Sequence, residues 1–307
     1  MRKVFNKTLL ELAQKNDRIY LVLADIGYGE VEPFAEQFPD RFFNVGVAEQ
    51  NMTGVACGIA MEGNIAVTYS IANFPTLRCL EQIRNDVCYH NANVKIVIIG
   101  GGVAYGALGI SHHSTEDLAI MRALPNMVVL APCDCIEARA AAIAMMEYQG
   151  PVYYRCGYKG ENDIHQEPIE FKIGKALRVR NGNNATIIFT GTIGYNALRA
   201  CGLLAEKGIH PSLISMHTVK PVDAQIIIQA AQQTPAIITV EEHNVIGGLG
   251  SAVAEVLADN RLTHVRFKRI AFPDVLVSKV GSQEWLRVQY GMSPEAIAKT
   301  VQETIER

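Results

Sequence analysis

Glu49 is a lone carboxylate in the neutral run Phe42-Phe43-Asn44-Val45-Gly46-Val47-Ala48-Glu49-Gln50-Asn51, just ahead of the small-residue stretch Met52-Thr53-Gly54-Val55-Ala56-Cys57-Gly58-Ile59-Ala60. No Lys or Arg stands between Arg41 and Arg78, so a buried glutamate here either favours its protonated form or needs a hydrogen-bonding ligand. The same residue could face water at the positive end of a helix dipole. Tyr69-Ser70-Ile71-Ala72-Asn73-Phe74 leaves a strand and opens a helix predicted near 74–91, a junction where the flat ring of Phe74 stacks on a ligand or plugs the core. Arg78, one turn on, suits a site or a surface ion pair. In the loop from Gly100 to Asp117, glycines permit close backbone approach and His112-His113 follow. A loop histidine either moves a proton or is a solvated or capping residue.

Positioning these groups requires a scaffold, and apolar runs alternating with helical patterns supply a parallel α/β one. Strands are predicted at Ile19–Ala24, Ile65–Tyr69, Val94–Ile99, Met127–Leu130 and Pro151–Tyr154, with helices near 3–15, 48–62, 74–91, 115–123 and 134–149. This first doubly wound domain spans 1–157, and a polar linker follows over 158–172. A second α/β domain, 173–307, has strands predicted at Ala185–Phe189, Pro211–Ser215, Ala236–Val240 and Val265–Arg269, with helices near 194–207, 222–233, 248–259 and 293–306. In doubly wound sheets, ligands gather at the carboxyl ends of the strands. In Glu241-Glu242-His243-Asn244-Val245-Ile246-Gly247-Gly248-Leu249-Gly250, a glycine turn enters a helix; such a turn can cradle an anion or merely pack helix on strand.

With 307 residues, 49 % of them hydrophobic and 19 % charged, the chain can bury two cores and shows no sign of disorder. A net charge of -3 without a basic block argues against nucleic acid or a membrane surface as the main partner. Met1-Arg2-Lys3-Val4-Phe5-Asn6-Lys7 lacks a signal-type apolar region, and no apolar run reaches the roughly eighteen residues of a span, so a cytoplasmic location is expected. The seven cysteines are spread through apolar segments and read as reduced core thiols. Cys133-Asp134-Cys135 has no second pair or nearby histidine, and His112-His113 lacks helical ligand spacing, so no metal site is expected within this chain.

The stretch Pro39 to Gly58 is similar to the cofactor-binding segment of transketolases, specifically the C-terminal subunit of split, two-chain transketolases, and the resemblance extends from Arg2 through the second domain. It implies a pyrimidine-binding domain followed by a transketolase C-terminal domain that mainly supports the dimer. Glu49 then hydrogen-bonds the aminopyrimidine of thiamine diphosphate and activates it, while His112 hydrogen-bonds the reacting oxygen and shuttles its proton. Phe74 covers the cofactor ring, with Asp25, Ile26 and Arg78 beside it. Arg2 and Arg155 match the family's phosphate-binding arginines. The family's diphosphate-binding pattern is absent, so the resemblance implies a separate N-terminal subunit holding the diphosphate and Mg2+, in a heterotetramer of two copies of each chain.

Departures from the family pattern bear on selectivity. Ala107-Leu108 replaces an acidic pair whose second member recognises a substrate hydroxyl, Gly100 replaces a phosphate-contacting histidine, and Gly29 replaces a serine near the phosphate. The resemblance therefore implies ketol transfer from a ketose, phosphorylated, branched or sulfonated, to an aldehyde or ketone. Its competitors are a 2-oxoacid dehydrogenase β-type subunit and a noncatalytic partner that retains the fold. The run His112-His113-Ser114-Thr115-Glu116-Asp117-Leu118-Ala119-Ile120-Met121-Arg122 favours transketolase over the dehydrogenase.

Overall fold

The computed structural model describes residues 1–306. In the first domain, strands β1 (Ile19–Leu23), β2 (Phe42–Asn44), β3 (Ile65–Ile71), β4 (Val94–Ile99), β5 (Val128–Leu130) and β6 (Val152–Cys156) are mutually parallel. Helices α1 (Arg2–Ala13), α2 (Glu32–Gln37), α3 (Glu49–Met61), α4 (Leu80–Gln82), α5 (Asp117–Ala123) and α6 (Cys135–Glu147) connect and cover them. Central strands β3 and β4 are buried nearly end to end, as parallel strands covered on both faces must be. The period-two alternation divides them between two cores: Leu21, Val67, Val97 and Ile99 pack on one face, and Val22, Ala66, Ile96 and Ile98 on the other.

The second domain contains β7 (Leu177–Arg180), β8 (Thr186–Thr190), β9 (Ser212–Ser215), β10 (Thr218–Lys220), β11 (Ala236–Asn244) and β12 (Arg266–Phe272), with helices α7 (Gly194–Ala205), α8 (Ala224–Gln233), α9 (Leu249–Asp259), α10 (Gln283–Gln289) and α11 (Pro294–Glu306). Its sheet has the order β12-β11-β8-β9-β7, with only β7 antiparallel to its neighbour. Strand β10 leaves this domain and pairs antiparallel with β5, making the first sheet seven-stranded in the order β10-β5-β6-β4-β3-β1-β2. Lys220 fastens the crossing by donating to the carbonyls of Arg122 (3.0 Å) and Leu124 at the end of α5.

Two α/β domains with largely parallel sheets are thus present, as the alternation implies. One element differs markedly. The helix predicted near 74–91 begins only at Leu80 and runs on as wider, π-type turns over Ile83–Cys88. Pro75 disfavours helical backbone at Phe74, so residues 72–79 form turns and Phe74 lies on a loop. All seven cysteines are free and six are buried, and no described helix is long and apolar enough to cross a membrane.

Candidate active site

The loops after β1, β3 and β4, together with the start of α3, gather at the carboxyl end of the first sheet. Glu49 is the first residue of α3 and only 2 % exposed. Its Oε2 accepts a 2.5 Å hydrogen bond from Nη1 of Arg78, whose side chain is 46 % exposed. The nearest cations in sequence are Arg41 and Arg78, and folding brings the latter across 29 positions to answer the buried charge. The Arg78 guanidinium also lies 4.9 Å from the Phe74 ring centroid, a cation–π distance. Phe74 in turn meets His112 edge to face, with centroids 5.2 Å apart and planes at 70°.

His112 is half-buried, and its Nδ1 shares a 3.0 Å hydrogen bond with Ser111 Oγ. Asn73 joins the two loops by donating from Nδ2 to the Ser111 carbonyl (3.2 Å), while its Oδ1 is buried with no partner. The structure therefore brings Glu49, Arg78, Phe74 and His112 into one wall, with an unanswered amide oxygen beside it.

Asp25 and Ile26 stand at the neighbouring strand end, outside that chain of contacts. Asp25 adopts a left-handed backbone (φ 51°) and accepts from Tyr28 Oη (2.8 Å) and Asn44 Nδ2 (3.2 Å). Those two hydrogen bonds, Tyr28's first, hold its carboxyl below the ordinary range. Ile26 packs partly into the core. Gly29 is exposed, and its N–H donates to Glu32 Oε1 (2.7 Å).

The arginines part company. Arg2 is half-buried, pairs with Glu30 at 2.8 Å and lies 5.5 Å from the Tyr158 ring centroid. Arg155 is 6 % exposed and already engaged: Nε and Nη2 fork onto Asp117 (2.8 and 3.2 Å), and Nη2 also donates to the carbonyls of Ser114 and Glu242. Arg155, expected at a substrate phosphate, thus has Nε and Nη2 engaged by the chain's own acceptors. A buried guanidinium is held where carboxylate and carbonyl acceptors replace its water, and here those acceptors are the chain's own.

Gly100 is likewise closed from within. It has φ 81°, and a Cβ built on it would lie 2.3 Å from the Tyr105 ring. The volume a side chain at position 100 would enter is filled by Tyr105, which packs against Tyr158 (centroids 4.3 Å apart) and lies 6.0 Å from His112. Tyr105 and Tyr158 thus extend the wall from His112 to Arg2, a role hidden in the sequence because their isolated positions give no periodic signal. Leu108, 56 % exposed, stands on the rim of a cavity of about 440 Å³ shared with Tyr105, Tyr158, Lys159 and Gln283.

The second domain holds this loop in place, more than the dimer-support role implied for it. Glu242 accepts the Val103 N–H (2.8 Å) while pairing with Arg287 (2.6 Å) and Gln283 (3.0 Å). Gly281 N–H donates to the Gly106 carbonyl (3.2 Å), and Asn244 N–H to that of Thr115 (2.7 Å). The glycine turn into α9 is closed to external anions. Glu241 already accepts the N–H groups of Leu249 and Gly250, both at 2.7 Å, and a Cβ at Gly248 would collide with its Oε2 at 2.1 Å.

Comparison with known proteins agrees with this architecture. Residues 1–157 match the family model of the transketolase pyrimidine-binding domain, and residues 174–297 that of the transketolase C-terminal domain. The chain is 39 % identical to an apulose-4-phosphate transketolase subunit of Phocaeicola vulgatus, over 100 % of this chain and 97 % of that protein. It is 38 % identical to the 6-deoxy-6-sulfo-D-fructose transketolase subunit SqwH of Clostridium sp. (strain MSTE9), over 100 % and 95 %. A solved split-gene transketolase, described as an inactive beta4 tetramer, superposes with a TM-score of 0.90 at 37 % identity, covering 99 % of this chain and 97 % of that one. With both of its domains matched and relatives aligned along its whole length, the chain belongs to the transketolase family.

Proposed function

We propose that this chain is the C-terminal subunit of a two-chain transketolase, transferring a two-carbon ketol unit from a ketose to an aldehyde or ketone acceptor. The observation that carries the reading is the buried Glu49 carboxylate, whose only side-chain partner among the described residues is a half-exposed arginine that a ligand can displace. Thiamine diphosphate fits there: the carboxylate, the unpartnered Asn73 Oδ1 and the partly exposed Phe74 ring offer an acceptor, a second polar atom and an apolar face to a polar aromatic ring. When bound, that cofactor supplies the electron sink for carbon–carbon cleavage. Its Mg2+ and diphosphate belong to the N-terminal subunit, in a cytoplasmic heterotetramer.

In this reading Glu49 holds the ring by a hydrogen bond once Arg78 swings aside. His112, fixed by Ser111 and Phe74, holds and moves the proton of the reacting oxygen. Arg2 meets the donor's terminal anion at the far end of the tyrosine wall, while Arg155 orients Asp117 and the loop base. The named relatives act on a 4-phosphate and a 6-sulfo sugar. An apolar Leu108 rim, with Arg2 less buried than Arg155, suits a ketose with one terminal phosphate or sulfonate and no hydroxyl to be read at that rim.

The test is calorimetric titration of thiamine diphosphate with Mg2+ into this chain alone and into its complex with the N-terminal subunit, followed by a donor screen on the complex. Binding to the complex only, with ketol transfer from an anionic ketose, is expected. Full-affinity binding to the isolated chain would overturn the shared site, and carbon dioxide release from a 2-oxoacid would overturn the reaction class.

A further inference from the structure

Beneath the linker, away from the wall of Glu49, Phe74 and His112, the fold assembles a group that the sequence disperses. Cys133 and Glu137 stand at the start of α6, and His165 comes from the linker; their Sγ, carboxylate oxygen and ring nitrogen all lie within 4.8 Å of one another. Cys133 and Glu137 are 1 % and 0 % exposed. The Cys133-Asp134-Cys135 segment gives no metal signal in sequence because no histidine is near it; folding supplies one from 28 residues beyond Glu137.

The donor set is already rigid. Asp134 caps α6 through Oδ1 to the Glu137 N–H (2.8 Å) and holds the linker through Oδ2 to the N–H groups of Ile164 (2.9 Å) and His165 (2.8 Å). Glu137 Oε2 accepts the Cys133 N–H (2.8 Å), which leaves Oε1 facing His165 Nε2 at 3.0 Å. Two further buried polar side chains lie beside Glu137. The hydroxyl of fully buried Ser215, next to both Glu137 and Cys133, makes no hydrogen bond of acceptable geometry. His217, also fully buried beside Glu137, uses Nδ1 on Thr218 Oγ1 (3.0 Å) and leaves Nε2 without a partner.

We propose that Cys133 Sγ, Glu137 Oε1 and His165 Nε2 form a structural site for a transition-metal dication of zinc type, with Ser215 Oγ at the fourth position. The mix of thiolate, imidazole and carboxylate is the one such borderline-soft ions take. Nitrogen and oxygen ligands about 2.0–2.1 Å from a tetrahedral ion lie roughly 3.3–3.4 Å apart, so the 3.0 Å His165–Glu137 pair needs to open only slightly. Binding removes the proton from the Cys133 thiol and releases it to solvent, and the proton of neutral His165 resides on Nδ1. Thiolate and carboxylate then balance the two positive charges in a dry site. The ligands come from the first domain, the linker and the second domain, so the ion pins all three together.

The test uses the full chain, titrated with Co2+ as a spectroscopic substitute and then with Zn2+ against a chromophoric chelator. Expected is one equivalent bound, with tetrahedral visible bands and a thiolate-to-cobalt charge-transfer band. Cys133→Ser should remove the charge-transfer band, and His165→Ala, changing a partly exposed linker residue, should weaken affinity by about 10–100-fold or more. A wild-type chain that gives no such band, or a band and affinity unmoved in the His165→Ala and Cys133→Ser chains, overturns the site.

Discussion

Two glutamates, Glu49 in the first domain and Glu241 in the second, are both buried beside the start of a helix, and their partners differ in kind. Glu241 spends both oxygens on backbone N–H groups of Leu249 and Gly250, which cannot move without unwinding α9. Glu49 leans on a half-exposed side chain that has somewhere else to go. A buried carboxylate satisfied by main chain is part of the scaffold, whereas one satisfied by a mobile cation is held ready for exchange. The contrast extends to the glycine-rich loops: the turn at Gly247-Gly248 wraps the chain's own anion, while the loop after β4 opens on a cavity walled by tyrosines.

The largest expected effect breaks this pair apart. Glu49→Gln in the two-subunit complex should lower ketol-transfer turnover by about 10²–10⁴ with little change in unfolding midpoint, since acid–base function is lost and volume is kept. Steady-state kinetics beside circular-dichroism melts measure both, and near-wild-type turnover would remove Glu49 from the chemistry. Next comes Gly100→Ala. A methyl 2.3 Å from the Tyr105 ring at φ 81° should cost about 1–3 kcal/mol in urea unfolding. The same change in a Tyr105→Ala background should cost less, a coupling that a double-mutant cycle detects. Glu241→Gln should destabilise by about 1–2 kcal/mol, because an amide turns N–H toward N–H in the α9 turn, while turnover per folded complex stays unchanged. If it instead abolishes turnover without unfolding, the division between scaffold and site fails. Smallest is Leu108→Ala on the open rim, within about 0.5 kcal/mol of wild type in the same unfolding assay.

Much of the scaffold is legible in the sequence because buried parallel strands are written as unbroken apolar runs: Val94–Ile99 has the same bounds in pattern and structure. The elements that are not legible are short or mixed. β2 and β10 are three residues each, and β7, Leu-Arg-Val-Arg, alternates charge with apolar side chains on an edge strand. At the candidate site, the residue types around Glu49, Phe74 and His112 point to chemistry, yet the pairing of Glu49 with Arg78 depends on a long-range fold that local spacing does not encode. Arg155 shows the reverse problem. Its type suits an anion site, and only the tertiary placement of Asp117 reveals that its anion is internal. Tyr105 is silent in the sequence because its value lies in the space Gly100 leaves.

The strand Thr218–Lys220 makes the chain indivisible. A cut in the linker would strip β5 of its only antiparallel neighbour and turn it into a raw sheet edge, while the released half would carry a strand with no sheet to join. Shuffling at the apparent boundary would therefore yield two sticky fragments instead of two modules, and any recombinant or evolutionary exchange has to move both halves as a single piece.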